Sequence, residues 1–176
     1  MDVPSGDRTW PAAEELAAPG LTLEPLSAEH TGEMARVLAP VELYAFTGGA
    51  PPTQGELERR YVRQSRGHSP DGTQGWLNWI VRDHATDQAV GYVQATLDID
   101  DGAMAATVAW LVEPSFQGRG IASSATAAML RWLRSQDVHD IRALITPGHE
   151  ASEGVAPRVG MRPLERIEDG ETVWVA

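Results

Sequence analysis

The 176-residue sequence contains no cysteine. Disulfides, thiolate metal sites and an acyl-cysteine intermediate are excluded with it. Lysine is absent too, all fourteen basic residues being arginine, so a phosphate loop ending in Gly-Lys-Ser/Thr cannot be present. No apolar run approaches the length that crosses a bilayer, and no basic segment followed by a hydrophobic one opens the chain. A cytoplasmic protein that does not associate with membranes is the expectation. The five histidines are scattered, with neither His-x-His nor His-Glu-x-x-His among them. No metal site is expected.

What is there fits one globular domain. A 42% apolar content supplies one core, and the length is too short for two ordinary domains. The formal net charge of −11 repels nucleic-acid phosphate and anionic lipid. It favours a cationic partner such as an amine or a basic peptide terminus, or it serves solubility alone.

Residues 1–20 are rich in Ala, Pro and acidic residues and read as a mobile arm, with a helical turn at Ala12 to Ala17; residues 21–176 form the single domain. Leu21 to Leu26 alternates as a strand. Ser27 caps a helix running to about Leu38, which Pro40 stops. Val41 to Pro52 is a loop exposing Tyr44 and Phe46, and Thr53 with Glu56 forms a capping box for a second helix. Trp76–Arg82 and Ala89–Leu97 are strands joined by a polar turn, and a third ends at Val112. Asp140–Thr146 alternates again. His149–Val159 is a short helix interrupted by Pro157, and Asp169-Gly170 turns a closing hairpin. The order βααβββαβαββ gives an α+β fold: a central mixed, mostly antiparallel sheet of about seven strands flanked by about four helices.

The chemistry concentrates between Thr107 and Leu133. Thr107-Val-Ala-Trp-Leu-Val112 is an apolar, β-branched-rich strand that Pro114 ends. After Gln117-Gly118-Arg119-Gly120 the period becomes helical. Ala122, Ala125, Met129, Trp132 and Leu133 share one face, opposite Ser124, Ala127, Arg131 and Arg134. A strand, a glycine loop and a helix start make either a plain tight turn or a phosphate cradle, the latter because the first helical N–H groups are unpaired and the helix dipole is positive there. A dinucleotide fingerprint would need a third glycine where Ser123 stands. Arg119 is either an exposed loop charge or a second cation beside a pyrophosphate or an adenosine 3′-phosphate.

The string Gln117-x-x-Gly120-x-Ala122, preceded by Val112-x-Pro114, resembles the coenzyme-A pyrophosphate loop of the GNAT superfamily of N-acetyltransferases, whose pattern is Gln/Arg-x-x-Gly-x-Gly/Ala. Ile145 to Met161 resembles the family's next segment, most closely in the branch of ribosomal-protein N-terminal (alanine) acetyltransferases. The likeness runs in element order from Leu21 to the C-terminus, with its motifs between Thr107 and Met161. It implies a GNAT fold splayed between its fourth and fifth strands, with acetyl-coenzyme A as acyl donor in the opening. Gln117, Gly118, Arg119, Gly120, Ile121 and Ala122 would then hold the pyrophosphate, and the backbones of Trp110 and Val112 the pantetheine arm and thioester.

Without cysteine, transfer would be direct, in a ternary complex with a primary amine, either a peptide N-terminus or a small molecule. The tyrosine that many members place after the fifth strand falls at Ala156, and the strand glutamate of related enzymes at Thr107. Ser152 matches the serine of the branch's Asn-x-x-Ser pattern. It is either the hydrogen-bond donor to the departing thiol or a residue that caps or packs its helix. His149 stands at that pattern's asparagine, which contacts the pantetheine arm. For the base, Asp98, Asp100, His84 or a water chain remain open. A homodimer is a common habit of the family. The missing tyrosine and glutamate leave a second function open, a non-catalytic acyl-coenzyme-A sensor.

Overall fold

The computed structural model describes residues 10–176. Eight strands form one sheet in the order β1-β2-β3-β4-β5-β6-β8-β7: β1 Leu16–Ala18, β2 Leu21–Pro25, β3 Gly75–Asp83, β4 Gln88–Asp100, β5 Ala103–Val112, β6 Asp140–Ile145, β7 Arg162–Glu168 and β8 Glu171–Val175. All neighbours are antiparallel except β5 and β6. The helices are α1 Thr31–Val37, α2 Gln54–Gln64, α3 Ile121–Ser135 and α4 Glu150–Arg158.

Alternation along the strands divides the core into two layers. Leu77, Trp79, Val81, Val93 and Ala95 pack with Ala125, Met129 and Leu133 of α3 on one face. Ile80, Tyr92 and Leu111 pack on the other with Met34 and Val37 of α1 and Leu57 and Tyr61 of α2. The Thr53–Glu56 capping box is formed, Glu56 N–H donating to Thr53 Oγ1 and Thr53 N–H to Glu56 Oε2 at 2.8 Å. Ser27 caps a short 3-10 turn, Ala28–His30, and the first α-helix begins only at Thr31.

Residues 10–20 are docked, which corrects the reading of this segment as an arm with a helical turn; residues 1–9 of it lie outside the described residues. The physical reason is the tryptophans. Trp79 is fully buried and its Nε1–H needs an acceptor, which the Glu14 carbonyl supplies at 2.7 Å. The Glu14 carboxylate accepts from Trp132 Nε1, and the two indoles meet edge to face at 5.4 Å. Trp10 lies over Gly75, where a Cβ would stand 2.8 Å from its ring carbons. Thus anchored, Leu16–Ala18 pairs with β2 as an eighth strand.

Two features tie β4 to its neighbours. The β3–β4 register shifts at Val81/Arg82, leaving Val90 without an opposite residue. Beside it, a Cβ on Gly91 would stand 2.1 Å from the Leu111 carbonyl oxygen, so β4 and β5 approach as closely as they do only through glycine. Arg82 forks onto two carboxylates, donating to Glu24 at 2.6 and 3.1 Å and to Glu33 at 3.1 and 3.2 Å. Glu33 also accepts from Ala89 N–H, and His30 Nε2 lies 3.1 Å from Glu24.

The Arg82 hydrogen bonds hold the Glu24 carboxyl below its usual value, against an opposing push from burial. A carboxyl depressed in the folded state stabilises fully above its unfolded pKa, and that stability is lost as pH falls through the folded value. Glu24→Gln should therefore cost about 1 kcal/mol at neutral pH, and the difference from the parent should shrink below about pH 4. Urea melts from pH 3 to 8 measure this; a pH-independent difference would exclude a role for the Glu24 charge.

Candidate active site

The parallel pairing of β5 and β6 covers only Ala105–Val108 against Asp140–Ala143. Beyond it both strands continue, β5 still paired to β4 through Val112 and β6 to β8 through Ile145. The sheet opens between them. Glu113 N–H donates to Val90 O at 2.8 Å, so in the antiparallel alternation Leu111 and Ala109 face β4. The backbone groups of Trp110 and Val112 face the opening. Val112 C=O accepts from Gln117 Nε2 at 2.9 Å, leaving the N–H groups of Trp110 and Val112 and the Trp110 carbonyl free of strand partners.

A cavity of about 890 Å³ occupies this opening. Its floor at one end is the loop after β5. Gly118 and Gly120 have φ of +75° and +77°, and a Cβ on either would meet open space. Left-handed backbone here favours glycine and turns the chain so that α3 starts facing the cavity. Gln117 N–H is bonded to Pro114 O, and Ser124 N–H to Gly120 O. The intervening N–H groups, from Gly118 to Ser123, have no acceptor among the described residues. Ser123 Oγ is buried at the same place without a partner.

Gln117, Gly118, Gly120, Ile121 and Ala122 line the cavity with Trp110 and Val112. Arg119 is not among the lining residues. Its guanidinium lies 4.9 Å from the centre of the Phe116 ring and donates to Ser115 O at 3.0 Å.

At the other wall, His149 precedes α4 and Ser152 lies in its first turn; both line the cavity. The His149 ring stacks on Phe46 at 4.4 Å between centroids, tilted by 35°. Burial holds its pKa below the usual value, with Glu153 opposing, so the imidazole is neutral at neutral pH. Ser152 Oγ makes no hydrogen bond to the described residues and caps nothing. Ala156 is fully buried in the core.

The base candidates fall elsewhere. Asp98 accepts from Gln74 Nε2 at 3.0 Å, His84 is paired with Thr22 Oγ1 at 2.8 Å, and Asp100 ends β4; none lines the cavity. Thr107 Oγ1 accepts from Arg142 Nε. The carboxylates that do line it are Glu42, Glu150 and Glu171.

Three phenols line the cavity: Tyr44, Tyr61 and Tyr92, all pushed up by burial. Tyr44 Oη donates to Leu38 O at 2.8 Å. Only Tyr44 is singled out by loop composition. Tyr61 and Tyr92 carry no such signal, because apolar spacing makes each a core residue of α2 or β4.

Among the described residues, no group of three or more His, Asp or Glu could hold a metal, and no helix is long and apolar enough to cross a membrane.

An acetyltransferase (GNAT) domain pattern matches residues 20–162. A GNAT-family acetyltransferase from Bacillus anthracis superimposes with a TM-score of 0.71 at 16% identity, over 93% of this chain and 98% of that one. RimL, a ribosomal-protein alpha-N-acetyltransferase in complex with coenzyme A, gives 0.69 at 15% identity, over 92% and 96%. The aminoglycoside acetyltransferase AAC(6′)-Ib, also in complex with coenzyme A, gives 0.70 at 16% identity, over 88% and 92%. At such identities the likeness is one of fold. No curated protein matches the sequence. With the domain pattern spanning most of its length, from the docking of β2 to the start of β7, the chain belongs to the GNAT acetyltransferase family.

Proposed function

We propose that the protein is an N-acetyltransferase that moves an acetyl group from acetyl-coenzyme A directly to a primary amine, a peptide N-terminus or a small molecule, in a ternary complex. The observation that carries this reading is the row of unpaired N–H groups from Gly118 to Ser123. With Ser123 Oγ orphaned beside them and open space over both glycines, they fit a diphosphate, since unpaired N–H groups at a helix start converge on an anion and the helix end is positive. Similar folds carrying coenzyme A, RimL and AAC(6′)-Ib, support it further.

In this reading the free N–H groups of Trp110 and Val112 orient the pantetheine arm and the thioester carbonyl. One such donor aimed at a developing oxyanion lowers an acyl-transfer barrier by about 3 kcal/mol. Neutral His149, fixed by Phe46, donates one further hydrogen bond to the arm. An α-amino group has a pKa of about 8 and a lysine-type amine about 10.4, so the acceptor first loses a proton to water or to a carboxylate at the cavity. The amine nitrogen then bonds to the acetyl carbon, the carbon–sulfur bond breaks, and the nitrogen's second proton passes through water to the leaving sulfur, which Ser152 Oγ–H meanwhile hydrogen-bonds. Arg119, turned onto Phe116, would need to swing away to reach an adenosine 3′-phosphate.

A non-catalytic acyl-coenzyme-A sensor is the second reading. Ala156 favours it, because no phenol stands at the family's usual acid position. A homodimer is the family's habit and is part of this proposal only as such.

Gly120→Glu puts a side chain and a negative charge into the cradle. It should weaken coenzyme binding by more than about 100-fold, while thermal melts show only the cost of a left-handed non-glycine residue, about 1–3 kcal/mol. Calorimetric affinity equal to the parent's would remove the cradle from this loop. Ser152→Ala should lower turnover about tenfold or more with coenzyme affinity unchanged. Thiol release over an amine panel measures it: equal turnover retires Ser152, and saturable coenzyme binding with no turnover of any amine supports the sensor.

A further inference from the structure

Between α2 and the sheet a second cavity, of about 450 Å³, shares Arg60, Gln64, Asn78, Tyr92 and Gln94 with the first. Its composition is unusual for the underside of a helix. α2 covers the apolar half of this sheet face with Leu57 and Tyr61, over Ile80 and Tyr92. The half left open carries Asn78 opposite Gln94 and Trp76 opposite Thr96. These alternate positions would be apolar if the helix simply packed on them.

Both carboxamides are half-buried, and neither side chain has a hydrogen-bond partner among the described residues. Arg60 and Arg63, on the cavity side of α2, have no ion pair there either. Glu56, a turn before Arg60, is held by the Thr53 cap. Arg60 lines both cavities, which places it at their junction. A chain of net charge −11 thus turns two unpaired guanidiniums and two unpaired amides toward one groove.

We propose that this groove is the acceptor subsite and that it takes the carboxylate of an amine-bearing acid, held by Arg60 and Arg63. The assignment rests on the acetyltransferase reading above. Guanidinium forks match a carboxylate in two hydrogen bonds each, and Asn78 and Gln94 supply further donors beneath it. The amine then extends along Tyr92 toward the opening between β5 and β6. In a chain of net charge −11 the local Arg60–Arg63 pair supplies the positive potential that a carboxylate needs, while the surrounding negative charge favours the ammonium end of the same molecule.

Paired probes test this: γ-aminobutyrate against its amide, glutamate against glutamine, and Ala-Asp against Ala-Asn peptides with amidated C-termini. Turnover and binding to the coenzyme-loaded protein are measured for each. In at least one pair the carboxylate member should lead by about tenfold or more in kcat/KM or affinity. The first two pairs report a small-molecule acid, and the peptide pair an acidic N-terminus. Arg60→Ala/Arg63→Ala should level the pair, and Arg60→Lys/Arg63→Lys should restore part of the preference. Preference for the neutral members, a preference that survives the alanine pair, or no binding of any carboxylate probe overturns the proposal. Coenzyme affinity is read separately on each protein: its loss in the parent would sink the acetyltransferase reading, whereas neutral amines turned over by an intact cradle sink only the carboxylate.

Discussion

The separation of β5 from β6 after Val108 and Ala143 is the constraint on which the rest depends. A sheet normally hides its backbone groups by pairing them, and an interior gap leaves donors and acceptors that water or a ligand must satisfy. Here each strand keeps its outer partner to the end, so the gap is held open from both sides. Gln117 plugs one carbonyl of the gap through Val112. The same residue leads the loop into Gly118 and Gly120, so the position of this loop is linked covalently and by hydrogen bond to the end of β5.

The two faces of the sheet then divide the labour. Packing on the α3 face is dense and apolar, with Trp79 and Trp132 meeting over Glu14. That density fixes the start of α3, and with it the direction of the unpaired N–H groups. The α1–α2 face is finished incompletely: apolar under Leu57 and Tyr61, polar beyond them. An enzyme that shares one donor with its family and differs in acceptor would concentrate its individuality there, since loops and covering helices change without disturbing the sheet.

Charge follows the same division. Arg82 is consumed in a structural fork with Glu24 and Glu33, and Arg119 folds onto Phe116. Arg60 and Arg63 are not consumed in this way. Net charge therefore describes the surface that a ligand meets first, while the guanidiniums that line the groove set the local potential there.

Much of this was legible in the chain. The Asp169-Gly170 hairpin, the Thr53–Glu56 cap, the faces of α3 and the glycine loop are local, each set by residues within a few positions of one another. Other features depend on residues far apart. Residues 10–20 look unstructured by composition, and they dock because two indoles from β3 and α3 need the acceptors of Glu14. Phe46 meets His149 only because α4 and the loop after α1 close on the same opening. Asn78 and Gln94 read as ordinary strand residues until the register sets them opposite each other beneath Arg60 and Arg63. Sequence alone determined the elements from β2 onward and the glycine loop that opens α3, because hydrogen-bonding and periodicity act at short range. The tertiary structure alone decided what faces the cavity, because that depends on which distant side chains leave one another unpaired.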